Sequence, residues 1–203
     1  MPTASSTVGL LETATGKIQT AILHNGIQER HIVDVEQLWQ PACGLLDRWS
    51  AGKHVEESSH WDWRKKMRSV RRSSRQDSFA IEFGDLTQGL MIVTSGKRSR
   101  FEVGEKRELV YVDYVEVAPW NRAGWKPQRL FAFIGSVFLG IASDLSLDRG
   151  FEGRIGLHSL PQANGFYRRM GLLDLGPDPD YEDLHYFEMT SGTARTSEFG
   201  DIP

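Results

Sequence analysis

Between residues 33 and 49, apolar positions recur at the three-and-four spacing of a helix: Val35, Leu38, Trp39, Leu45, Leu46 and Trp49. The spacing predicts an amphipathic helix that Pro41 and Gly44 split or kink, because proline removes an amide donor and glycine weakens the helical backbone. A second helix is expected through "EESSHWDWRKKMRSVRR", with Trp61 and Trp63 packed against a sheet and cations gathered at its electronegative C-terminal end.

The period then changes. "SFAIEFGD" and "QGLMIVTSG" are short apolar runs joined by a turn, the mark of a hairpin or meander. In "ELVYVDYVEVAP", Leu109, Tyr111, Asp113, Val115 and Val117 alternate with Val110, Val112, Tyr114 and Glu116. Both faces are mostly apolar, which predicts a central strand covered on both sides and ended by Pro119. The loop "WNRAGWKPQR" leads into "LFAFIGSVFLGIASDLSLDRG", a buried crossover helix punctuated by Ser136, Ser143, Asp144, Ser146 and Asp148. Then come the strand "GRIGLHS", a short helix containing Phe166 and Tyr167 that Gly171 stops, and a last strand, "LHYFEMT". A strand-helix-strand crossover makes a parallel pair, so the order predicts a mixed α+β domain. One domain over 16–190 is expected, between mobile tails at 1–15 and 191–203.

Composition narrows the class rather than the chemistry. With 203 residues, 39% hydrophobic and 25% charged, the chain can bury one sizeable core. A net charge of -3 provides no global attraction for nucleic acid or an anionic membrane, and neither is expected as a partner. Cys43 is the only cysteine, which excludes an internal disulfide and reads as a buried structural thiol. No signal peptide and no run of about 20 apolar residues is present, so a cytoplasmic protein is expected. The six histidines lack metal-ligand spacing, and no metal is expected.

In a sheet with a parallel crossover, ligands gather beyond the carboxyl ends of the parallel strands, here "VEVAPWNR" and "LHSLPQ". Arg122, Lys126 and Arg129, beside Gly124 and ahead of a helix start, suit a phosphate site or a solvated basic loop. Glu116, flanked by valines, is either a base raised by desolvation or a carboxylate paired with a structural arginine. Tyr167 is either core packing or a hydroxyl donor, and His158 either a satisfied structural histidine or an auxiliary base.

These residues gain a shared context from one further feature. "ANGFYRRMGL", Ala163 to Leu172, matches "A-x-x-F-Y-x-x-x-G", and residues 78–190 resemble the GNAT N-acetyltransferase superfamily. The resemblance implies a GNAT-like, mostly antiparallel sheet with one parallel strand pair splayed around a cofactor cleft and helices on both faces. It implies acetyl-CoA as co-substrate, held by the backbone of Val117 and Ala118, by the loop and helix start from Arg122 and Arg129 to Gly135 and Ser136, and by Asn164. It assigns Glu116 as general base, Tyr167 as general acid and His158 as auxiliary, acting on a primary amine of a small molecule or a protein. A homodimer stays open as a partner state. Two positions depart from the family pattern: Phe133 stands where the phosphate loop has its middle glycine, and Leu160 where an asparagine is common. Those departures motivate an alternative, a catalytically silent domain that binds a CoA species or a protein partner.

Overall fold

Gly84 and Asp85 both adopt left-handed φ, 57° and 61°, so a two-residue turn links β3 (Gln76–Phe83) to β4 (Leu86–Arg98). That is the geometry whose twist matches a hairpin, and glycine and aspartate are residues that tolerate it. The computed structural model describes residues 5–49, 57–58, 61–101, 107–123, 125 and 128–191, with 45–49 described as backbone. Nine strands form one sheet among these residues, in the order β6-β1-β2-β3-β4-β5-β7-β9-β8. The remaining strands are β1 (Ser5–Glu12), β2 (Ile18–Asn25), β5 (Glu108–Val117), β6 (Phe131–Ala132), β7 (Ile155–Ser159), β8 (Leu173–Asp178) and β9 (Leu184–Met189). The helices are α1 (Glu29–Asp34), α2 (Gln40–Trp49), α3 (Trp63–Val70), α4 (Ile134–Asp148) and α5 (Asn164–Arg169). The architecture is mixed α+β, mostly antiparallel, with β5 and β7 as a parallel pair.

The backbone forms two compact units where the sequence suggests one domain: 1–91 with 115–135, and 92–114 with 136–203. In the first, β1 pairs with β2 from Ser5↔His24 to Leu11↔Ile18 and with β6 at Leu11↔Ala132. Residues 5–12 of the expected tail form strand β1. Its serines and threonines lie mostly at exposed positions of a strand whose Leu10 is fully buried. The tail beyond 191 lies outside the described residues. Between α1 and α2, Val35–Trp39 form a π-helical turn. Pro41, which lacks an amide hydrogen, stands two residues after its end, giving the expected kink a local cause.

In the second unit, β5 pairs with β7 in parallel register, Val110↔Ile155 to Val112↔Leu157. Gly156 sits where a Cβ would come within 2.5 Å of the Tyr186 hydroxyl, so only glycine lets β7 pass under that ring. Helix α4 starts at Ile134, not Leu130, because Phe131 and Ala132 are drawn into pairing with β1. It buries Phe138, Leu139 and Ala142 and ends at a left-handed Gly150, φ 77°. No helix among the described residues is long and apolar enough to cross a membrane.

Candidate functional site

Strand β5 carries Glu116 into the first unit, where its side chain is 10% exposed. Three donors among the described residues reach it. Oε1 accepts from Ser58 Oγ at 3.2 Å and from Arg122 Nη2 at 3.0 Å, and Oε2 accepts from the Trp63 indole at 2.5 Å. A carboxylate offers about four acceptor positions, so the described residues leave one unfilled, on Oε2. Burial pushes the Glu116 carboxyl above its ordinary value, against the pull of Trp63, Arg122 and Ser58. The group is therefore a desolvated carboxylate with one acceptor position that no described residue fills.

Arg122, expected beside a cofactor phosphate, makes its described contacts within the protein. Its Nε donates to the Val117 carbonyl at 2.8 Å, its Nη2 to Glu116, and its Nη1 points at Cys43 Sγ, 3.7 Å away. All three guanidinium nitrogens serve the protein, and the charge is balanced by Glu116. Cys43 itself is half-exposed rather than buried. The Ala118 N–H donates to Gln88 O and the Ala118 carbonyl accepts from Asn121. The Val117 carbonyl is likewise taken, by Arg122 Nε.

The residue before α4 has an unusual backbone conformation for its type. Phe133 has φ 65°, the left-handed conformation a glycine would supply at no steric cost. The ring is 41% exposed, with the Arg129 guanidinium 5.9 Å from its centroid. Having no side-chain oxygen, Phe133 cannot cap the helix that follows, so the first-turn amides of Ile134, Gly135 and Ser136 have neither an intrahelical partner nor a cap from that position. Ser136 Oγ lies 3.4 Å from Met170 Sδ. Phe131, by contrast, is buried edge-on against Phe83. Gly124 and Lys126 lie outside the described residues.

In the second unit, α5 buries Tyr167, 6% exposed, with its ring 5.1 Å from Phe166 and 5.6 Å from Phe187. No hydrogen bond to its hydroxyl is found among the described residues, and burial pushes the phenol upward, holding it protonated. Three residues earlier on the same helix, the buried Oδ1 of Asn164 also lacks a hydrogen-bond partner among the described residues. A buried acceptor without a partner costs about 1–3 kcal/mol, which a bound donor would recover.

His158, expected as an auxiliary base, has hydrogen-bond partners at both ring nitrogens. Its Nε2 faces Asp178 at 2.8 Å and its Nδ1 faces the Tyr111 hydroxyl at 2.6 Å, while Tyr181 stacks on the ring at 4.0 Å. Asp178 accepts only, which places the ring proton on Nε2 and leaves Nδ1 to accept from Tyr111. Neither nitrogen is left for a substrate. The hydrogen bond from His158, and after it that from Arg100 2.6 Å away, holds the Asp178 carboxyl down at about 2 against its burial.

A cluster that sequence spacing missed brings His24, His31 and Glu82 together with ligand atoms within 4.8 Å of one another. Its hydrogen bonds argue against a metal. His31 Nδ1 accepts the Gln28 amide at 3.0 Å, so Nε2 carries the proton and donates to Glu82 at 3.2 Å. Arg30 Nη2 meets both Glu82, at 3.0 Å, and His24 Nε2, at 3.2 Å, taking the place of a cation. Burial lowers the His31 pKa from its ordinary 6.5, so the folded state binds fewer protons than the unfolded chain at acid pH. Stability is then fully present above about pH 6.5 and is lost as pH falls below it. Melting curves should show Tm dropping through that window, with a shallower drop for His31→Gln.

No family model and no curated protein matches the sequence. Solved structures do resemble the fold. The GNAT domain of S. lividans PAT superposes with a TM-score of 0.58 at 12% identity, over 91% of this chain and 96% of that one. A GNAT-family acetyltransferase from Listeria monocytogenes gives 0.55 at 10% identity, over 90% and 99%. A bacterial toxin gives 0.53 at 12%, over 99% and 98%. At these identities the likeness speaks for architecture, and the chain has the GNAT acetyltransferase fold.

Proposed function

We propose that the protein is a member of the GNAT superfamily that transfers an acetyl group from acetyl-CoA directly to a primary amine. Two observations, one in each unit, support this reading: Glu116 is a desolvated carboxylate with one acceptor position that no described residue fills, and Tyr167 is a buried phenol whose hydroxyl makes no hydrogen bond among the described residues. Direct transfer asks for both. The amine must lose a proton to attack the thioester carbonyl, and the departing thiolate must gain one. Glu116 Oε2 takes the first proton, directly or through water, and Tyr167 supplies the second.

Acetyl-CoA fits the residues available. Its pyrophosphate would lie on the first-turn amides of Ile134, Gly135 and Ser136 with Arg129 beside them, and the orphaned Asn164 Oδ1 would accept from the co-substrate. Arg122 serves as the partner that keeps Glu116 ionised in a dry setting. The acceptor is a small-molecule or protein amine; part of the segment expected to line its pocket, residues 52–56 and 59–60, lies outside the described residues. A second reading, a silent CoA-binding or partner-binding domain, is favoured by Phe133 alone, whose left-handed φ costs about 1–3 kcal/mol in a non-glycine residue.

Thiol release from acetyl-CoA with a panel of primary amines tests the reading. Turnover is expected, and Glu116→Gln should lose most at the acid end of the pH–rate profile, where the acceptor is most protonated and most needs a base. A profile shifted uniformly, with its shape unchanged, would leave Glu116 a structural role only.

A further inference from the structure

Helix α3 follows an amphipathic rule with one exception. Trp63 and Met67 are its buried residues, and Arg64, Lys65, Arg68 and Ser69 are exposed or half-exposed around the rest of its surface. Lys66 shares the inward stripe, three residues after Trp63 and one before Met67. An apolar side chain is the default at such a position. Instead an ammonium group is half-buried there, with Nζ 4.6 Å from the centroid of the Trp61 ring. Trp63, on the same face, donates to Glu116.

From this placement we infer that Lys66 is an internal acetyl acceptor, modified by the protein's own transfer chemistry. The inference rests on the acetyltransferase reading above. The charged groups around Lys66 are Glu116 and Asp62, which favour its ammonium form, and Lys65, which opposes it; burial outweighs them and brings its pKa down to about 8. About a tenth of the side chains are then neutral at pH 7, against roughly one in three thousand for a lysine at its ordinary value. In the reaction, the neutral Nζ attacks the thioester carbonyl, an N–C bond forms and the C–S bond breaks. The nitrogen's extra proton leaves to Glu116 or water, and the thiolate takes one from Tyr167, giving an amide and free CoA thiol. The product has lost the cation over Trp61 and beside Glu116, so modification changes the electrostatics of the proposed base.

The test incubates the full chain with acetyl-CoA, without added amine, and maps acetylation by peptide mass spectrometry, with acetyl-CoA binding measured calorimetrically in parallel. Expected is one acetyl group at Lys66, a labelling rate that rises with pH and levels off above about 8, loss of the label in Lys66→Arg, and slower labelling in Tyr167→Phe. Binding without a label at Lys66, or equal labelling of the exposed neighbour Lys65, overturns this inference and leaves the acetyltransferase reading standing. Absence of binding overturns both.

Discussion

Replacing Tyr167 by phenylalanine lowers turnover on the order of 100-fold or more, the usual worth of a positioned proton donor, while acetyl-CoA affinity and Tm stay close to wild type. The separation follows from the local packing. The ring's contacts with Phe166 and Phe187 survive the change, and the hydroxyl makes no hydrogen bond among the described residues that the fold could miss. Loss of activity in a protein that melts normally and still binds its co-substrate then reports chemistry rather than damage. Steady-state kinetics with a saturating amine, beside a melting curve and a binding isotherm, separates the cases. Equal, small changes in all three would remove Tyr167 from the acid role.

Arg122→Ala should produce the largest loss of stability. Its guanidinium, 14% exposed, is the only cation hydrogen-bonded to Glu116 among the described residues, and it also satisfies the Val117 carbonyl. Removing one partner of a buried ion pair costs about 3 kcal/mol, because the other charge is left in a dry site. In a chain of this size the Tm falls on the order of 10 °C. Proton uptake by Glu116 limits the loss, so the variant is most destabilised at neutral and alkaline pH and less so in acid. The double variant Arg122→Met with Glu116→Gln buries no charge and should recover much of the difference. If it melts no higher than Arg122→Ala, the loss came from packing around Cys43 and Val117, not from the pair.

The elements that pattern could reveal are those where one periodicity dominates. The hairpin of β3 and β4, the doubly covered β5 and the crossover into β7 all have apolar runs bounded by turn residues, and all formed. In β2, Ile18 and Ile22 are exposed while Ala21 and Leu23 are buried, so both parities are apolar and alternation is lost. Strand β6 is two residues long, and only its pairing with β1 distinguishes it from the start of a helix.

At the candidate site, residue types were legible and partners were not. Glu116 stood out as a carboxylate between valines. That Trp63, 53 positions away, and Ser58 would donate to it, or that Arg122 would turn inward instead of toward a phosphate, depends on tertiary distances. The same holds for Tyr111 and Asp178 closing around His158. Phe133 is the instructive case. Its side chain suggested a lost phosphate loop, yet its backbone adopts the left-handed conformation that the missing glycine would have taken.

The central claim is that the fold engages acetyl-CoA for catalysis, and calorimetric titration of the purified full chain with acetyl-CoA tests it most directly, with CoA and desulfo-CoA as controls. Saturable micromolar binding is the predicted result, weakened when Asn164 is replaced by alanine. A folded sample that releases no heat with any of the three ligands would contradict the account, and the protein would then be a GNAT-fold domain that works by binding something else.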